Sequence, residues 1–433
     1  MGRLQAWRAA GLVVATVMAL TAAGEGLAAQ AAATKMPPAV ERLITAAYVR
    51  DGGTATEVNR SFAAANIDES GVYAANGGAL TLVNATIATT GGSSSTTEPF
   101  ASSMWGINSA VFANSDGHVD FHGGSVTTTG YVAGGFFATC GGSLDIAGAA
   151  VRTTGDFSHG VDATYGGAAD MTEVSVVTTG AHASALATDF GGGRLSAERV
   201  TAKTEGQWSA GVYIDWKGAI MATDSVFTAA KSEGGVIAGD GVIKLTNCAV
   251  SGGTNALFVH NPITPVTDTS FVPTGVGVIS GGSLSATGGA AIMVRDAQAA
   301  IAVQDGTVIS SAAGIIVEAK GKSKVCFTAK GEVLAGALLA DGTSSLEVTL
   351  AEASTLTGAI NAAALKLDAA STWTVTADSV LTSLSDEGAI SGDRVTNIIG
   401  NGHNVYYDSS LSANSALGGR SYGLVNGGQL MPR

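Results

Sequence analysis

The chain has 433 residues, 60 of them Gly, and only 13% are charged, with a formal net charge of −13. So few charges exclude a disordered acidic chain and leave Ser, Thr, Asn and Gly to carry solubility. The negative balance argues against nucleic acid or anionic lipid as a partner.

Residues 1–33 read as a secretory signal peptide. Arg3 and Arg8 precede the apolar run from Ala9 to Ala23, and small residues around Ala29-Gln30-Ala31 offer a cleavage site. No Cys follows that run, so no lipid anchor is expected there, and no membrane span is expected once the signal is removed. The expected destination is the extracellular space or the outer cell surface. Cys140, Cys248 and Cys326 have no zinc-type spacing. Export permits one disulfide among them at most, and small buried apolar residues are the equal alternative.

Residues 34–69 read as an N-terminal cap segment. Pro37-Pro38 would start a short helix, with Val40, Leu43, Ile44, Ala47 and Tyr48 at helical spacing and Gly52-Gly53 as its stop. Such an element would cover the exposed strand edge at the end of a solenoid.

From residue 70 to 433 one short strand recurs. Ser70-Gly71-Val72-Tyr73-Ala74 is followed by Ser109 to Ala113, Gly134 to Ala138, His159 to Ala163 and Ala210 to Ile214, with later copies through Ala337 to Ala340. Most steps are 21 to 26 residues, within the period range of solenoids. Each copy leads to a Gly-rich turn (Gly77-Gly78, Asp116-Gly117, Gly141-Gly142, Gly166-Gly167) and then to an alternating strand carrying pairs such as Val119/Phe121 and Leu144/Ile146. Many repeats close on Thr-Thr-Gly, at 89–91, 128–130, 153–155 and 178–180. Period-two strands between Gly-rich turns, three to a repeat, predict an all-β parallel β-helix of about a dozen three-strand coils. The prolines all fall outside the proposed strands, since a ladder strand cannot lose a donor. Insertions carrying Pro99 (near 91–108) and Pro262, Pro265 and Pro273 (near 261–277) are expected to loop out of the stack, and the chain should end in a C-terminal cap.

These repeats, with Trp373-Thr374-Val375-Thr376-Ala377-Asp378-Ser379 and the closing runs 400–408 and 424–430, resemble the right-handed β-helix passengers of bacterial adhesins and autotransporters. The likeness covers about Ser70 to Leu430 and implies a right-handed β-helix displayed at a cell surface. The departure is that the given sequence ends at Arg433 without the transmembrane strands of an autotransporter barrel, which puts self-anchoring in doubt.

Alternation assigns the faces. In the recurring strand the residue between two inward apolar positions should point outward, as Tyr73, Phe112, Phe137, Asp162, Ala187, Tyr213, Ile237, Phe258, Met293, Ile316 and Leu339. Tyr73, Phe112, Phe137, Tyr213 and Phe258 are the candidate ligand-binding residues of this stripe, unless a loop, a terminal segment or a second copy covers it. In the second strand, Asp120, Asp145 and Asp170 form an outward acidic column, a candidate Ca²⁺ site or a solvated acidic face. No other cofactor is expected. His118 and His122 read as turn residues, and His159 and Asp162 lie near Asp170 in sequence. The Thr-Thr-Gly ranks suggest ice binding, but their phase turns the first Thr inward, to bond along the stack. Val212-Tyr213-Ile214-Asp215-Trp216 faintly resembles a pectate lyase strand, with Trp216 where a His is expected. The expected function is non-catalytic, adhesin-like binding of an extracellular glycan or surface protein, with self-association through the β-helix face as a further option. A polysaccharide-degrading lyase or glycoside hydrolase is the alternative, and an ice- or surface-binding solenoid the third reading.

Overall fold

The computed structural model describes residues 35–94, 99–261, 274–386 and 388–433. The signal segment, and parts of both proline-bearing insertions, lie outside the described residues. The chain is an all-β parallel solenoid of about 15 turns, a few more than the repeats suggest. It divides into two units, one running to Thr254 and one from Asn255 to Arg433.

In the first unit each residue sits over its equivalent one repeat away. Leu80, Val119, Leu144, Ala169, Leu195, Ile220 and Ile243 pair in succession down one inward column. All are essentially buried. The strand Ser143–Ala147 shows the cause: Leu144 and Ile146 go in, while Ser143, Asp145 and Ala147 face out. Each large inward side chain contributes roughly 1.5–3 kcal/mol by leaving water, and register follows because a one-residue slip would expose the whole column.

The Thr-Thr-Gly motif makes a corner. Thr128 and Thr153 are fully buried and donate to the Ala133 and Ser158 carbonyls, both at 2.6 Å, five residues further along the chain. These bonds close the corner within one coil instead of running along the stack, and the Thr rank that ice binding needs is inside the protein. The Gly-rich turns are also shifted from expectation. Gly142 N–H bonds to Thr139 C=O at 2.8 Å, so Cys140 (φ 50°) and Gly141 (φ 81°) are the central pair of a type I′ turn.

The N-terminal helix is shorter than its spacing predicts. Helix α1 covers only Pro38–Glu41. Thr45–Asp51, Thr54–Val58 and Ser61–Ala64 are strands. They make a further coil, with Tyr48 paired to Val72 and its ring 5.2 Å from Phe62. An open strand edge at Glu69–Ala75 offers these residues a full ladder, and that outweighs a weak helical preference.

The second unit repeats the design. Ile301, Phe327, Val348, Leu365 and Leu384 pair in succession along its core. Near its end two antiparallel pairings join the parallel ladder: Ile390–Ser391 returns on Arg394–Ile399, and Tyr422–Val425 on Gln429–Pro432. A 3₁₀ turn at Ser412–Leu417 is tied in by Tyr422, whose hydroxyl donates to Leu417 C=O at 2.8 Å. Cys140, Cys248 and Cys326 are all free thiols.

Candidate functional site

Register confirms one outward column in the recurring strand of the first unit: Tyr73, Phe112, Phe137, Asp162, Ala187, Tyr213. Two assignments in later copies shift. Val236, not Ile237, continues beside Tyr213, and Glu318, not Ile316, lies beside Met293.

The column is not an open stripe. Phe112 and Phe137 are 0% and 3% exposed beneath Met36, Trp105, Ile107 and Cys140, with Tyr73 and Tyr165 packed against the same cluster. Trp105 ends helix α2 (Pro99–Trp105), which the first insertion folds back over the strands. Its ring stacks on Tyr165 at 4.4 Å, and Thr164 donates to Met104 C=O at 2.8 Å. A run of aromatic rings this large is more stable covered than wet, so the insertion and the segment at Met36 close it. Phe112 and Phe137 are therefore core residues of an outer layer, with Tyr73 partly buried against them. Tyr213 is half-buried, its ring parallel to His159 at 6.5 Å. Phe258, in the second unit, is half-buried between His260 at 4.7 Å and the Arg295 guanidinium at 5.7 Å.

Asp120, Asp145 and Asp170 do stack in register on three coils. Each carboxylate faces a cationic or titratable partner: His122 at 2.8 Å, His118 at 3.7 Å and Arg194 at 2.8 Å. Both histidines sit on the strand His118–Thr128, not in a turn. Like-charge repulsion down the column is thus offset by side chains of the protein at a largely solvated face.

A different acidic group lies beneath the surface. Asp162 is 1% exposed, and Asp189 and Asp215 are each 6% exposed. Thr188 pairs with Ile214, which places Asp189 and Asp215 at the same position of successive coils, on the outward face with Asp162. His159 Nε2 lies 3.2 Å from Asp189 Oδ2. The Ser184 backbone nitrogen lies 2.9 Å from His159 Nδ1. Burial raises the Asp162 carboxyl well above its ordinary range, and the Asp189 charge adds to this. Burial and Asp189 likewise push Asp215 up to about 8 against the opposing Trp216 N–H. Burial alone would lower His159, but Asp189 and then Asp162 outweigh it and take the imidazole up to about 9. Tyr213 is raised well above 10.0 by burial and by the charges of Asp215, Asp189 and Asp162.

The third feature is on the surface. Phe157, His182 and Trp208 occupy the same left-handed corner position in three consecutive coils, at φ 56°, 53° and 54°. Their rings stack at 4.6 Å and 4.9 Å, and Tyr131 packs edge-on against Phe157 at 5.7 Å. Burial and the neighbouring His159 charge lower the His182 imidazole, which favours the neutral ring in the stack. The coil after Trp208 is shorter: Thr204 pairs with Ala229 and Val212 with Gly235, so residues 205–211 face only 230–234. Trp208 has no equivalent above it and is 65% exposed. The pattern is readable in sequence, since Phe157, His182 and Trp208 each lie two residues after the corner Gly155, Gly180 and Gly206.

Fold and surface together define a class: a parallel β-solenoid with a roofed aromatic column, a buried His–Asp group and an open aromatic corner. No protein-family model matches the chain, and no curated protein matches it. Among the described residues no helix is long and apolar enough to cross a membrane.

Proposed function

We propose that this chain is a secreted or surface-displayed, adhesin-like β-solenoid of bacterial type that binds an extracellular glycan without catalysis, through the aromatic corner. The observation that carries this reading is Trp208, a 65% exposed indole ending a stack of rings. A pyranose presents a C–H face that packs on such a ring, and stacked neighbours below hold the indole in place at little entropic cost. A solenoid with few charges and a polar Ser/Thr/Asn surface suits a neutral, hydroxyl-rich partner.

Glycan-array binding followed by titration with tryptophan fluorescence tests it. Trp208→Ala is expected to weaken binding by about tenfold or more with the far-UV CD unchanged, on the scale of losing one aromatic anchor. Val333→Ala, at a residue 81% exposed in the other unit, should leave affinity intact. Full affinity in Trp208→Ala would remove the corner as the binding face.

A polysaccharide-degrading enzyme has one observation in its favour. Burial pushes Asp215 up to about 8 and raises Asp162 well above its ordinary range, the direction a general acid needs. Their burial weighs against it, because a polymer must reach the acid. Turnover of acidic polysaccharides, lost in Asp215→Asn, would establish this second reading in place of the first.

A further inference from the structure

We propose that His159, Asp162, Asp189 and Asp215 form a pH-sensitive lock in the first unit: the carboxyls keep a proton among them, and the coils they join loosen when rising pH removes it. The lock is separate from the exposed face of Trp208, and nothing in the glycan reading requires it.

The balance of buried charge carries this. The three carboxyls are at most 6% exposed. Among the described residues their only ion pair is the one between Asp189 and His159, at 3.2 Å. One imidazolium thus faces three carboxyls, and full ionisation would leave surplus negative charge shut away from solvent, which is costly. Backbone and side-chain donors do not absorb the surplus, since Asp162 Oδ2, Asp189 Oδ1 and Asp215 Oδ1 are buried without a hydrogen-bond partner. Crowding sharpens the conflict. His159, Asp162 and Asp189 bring polar atoms within 4.8 Å of one another. Asp215 follows Ile214, the ladder partner of Thr188, and so stands one coil on from Asp189. Like charges this close in a buried site do not all ionise. A retained proton removes one charge and turns that carboxyl into a donor.

The surroundings do not relieve it. The ladder neighbours Phe137 and Ala187 of Asp162, and Ala238 of Asp215, are apolar. The other titratable neighbours are Tyr213, which is itself raised by burial and these carboxyls, and His182, which is lowered by burial and by the His159 charge while Asp156 acts the other way. The directions set the sign. Burial and Asp189 raise Asp162, and take Asp215 from 3.8 to about 8. Burial lowers His159, but Asp189 and Asp162 outweigh it and take the ring from 6.5 to about 9. A group held above its ordinary value binds its proton more tightly folded than unfolded. Its stabilising contribution is complete below the ordinary value and is lost as pH rises through the folded one. Carboxyls held low elsewhere, such as Asp408 beside Ser410, act below 3.8 and outside this window. The group shares its protons, so the loss belongs to the set and not to one residue.

The test follows Tm of the full chain from about pH 5 to about pH 9, beside NMR of the native chain with ¹³C-labelled Asp carboxyls. At least one of the three carboxyls is expected to titrate near or above neutral pH. Asp162→Asn combined with Asp215→Asn places uncharged amides where protons are held, so its Tm should gain on the wild type by several degrees as pH rises. Asp145→Asn on the exposed column should run parallel to the wild type. Backbone resonances of Val161–Ala163, Leu186–Thr188 and Val212–Trp216 should shift or broaden through the same range, while Ser345–Ala351 in the other unit stays fixed. Three carboxyls that all titrate near the ordinary 3.8 overturn the proposal, whether or not the double variant folds. So does a Tm difference between double variant and wild type that is the same at every pH. Resonance changes spread evenly over both units would place the loosening elsewhere and overturn the lock.

Discussion

Gly155→Ala should be among the most damaging single-methyl changes in this protein, costing about 3 kcal/mol or more. A Cβ at this position would lie 1.8 Å from the Gly130 carbonyl oxygen and 2.6 Å from its carbon, both backbone atoms of the coil beside it. No rotamer change relieves such a contact. The two coils must part locally, which strains the Thr154 N–H to Thr128 C=O bond at 3.0 Å and the Val132 N–H to Asp156 C=O bond at 2.9 Å. The same overlap recurs at Gly180 against Gly155 (2.0 Å) and at Gly206 against Gly180 (1.8 Å), so the corner glycines form a close-packed column. Gly148 separates space from conformation. It has φ +64° but nothing nearer than 3.9 Å, so Gly148→Ala should cost only about 1 kcal/mol of left-handed strain. Urea unfolding followed by CD measures both. Equal, small shifts in the two variants would mean that the corner glycines are not packed against one another.

That column explains how much of the fold was legible. Coil period, inward apolar pairs and the inward phase of Thr128 and Thr153 follow from alternation, which is a local property of a strand. The corner itself is local too, yet its bond runs from Thr128 to the Ala133 carbonyl, and the sequence suggests only that the hydroxyl needs a partner. The turn centre at Cys140–Gly141 was displaced because a Gly-Gly pair marks a turn without saying which residues take positive φ. Residues 45–51 carry part of a helical spacing but form a strand, because the free edge they join is distant in sequence.

The candidate sites were legible in a different degree. Facing was read correctly for Tyr73, Phe112 and Phe137, but facing outward from a coil is not exposure. Their cover comes from Trp105 and Met36, whose arrival depends on tertiary folding of an insertion and a terminal segment. The acidic group was missed for a related reason. Asp189 and Asp215 share one position of successive coils and Asp162 lies two residues before it, so a 27-residue offset between Asp162 and Asp189 breaks the 25-residue rhythm that exposes Asp120, Asp145 and Asp170. Exposed acids announce themselves by regular spacing, whereas diagonal neighbours across a ladder do not. Aromatic residues at the corner keep the rhythm and could have been found from the Gly column.

Trp373→Ala is the second large effect expected, about 3–5 kcal/mol by the usual cost of emptying a buried aromatic site. The side chain is 0% exposed, its neighbours along the stack are Leu356 and Ile398, and its indole N–H donates to Gly358 C=O at 2.9 Å. Trp373→Phe keeps most of the volume and loses the donor, so it should cost roughly 1 kcal/mol for the bond plus a smaller cavity. The place of the loss matters as much as its size. In a solenoid each coil is held by its neighbours, so weakening one interface near an end frees the coils beyond it before the rest unfolds. Hydrogen exchange should therefore show lost protection in the strands Arg394–Ile399 and Tyr422–Val425, while Ser143–Ala147 keeps its protection. If protection falls uniformly along the chain, the coils unfold as one cooperative body and nearest-neighbour stability does not describe this protein. In either outcome the Trp373 indole fills the coil that pairs with the strand Arg394–Ile399, on which the closing hairpins are built.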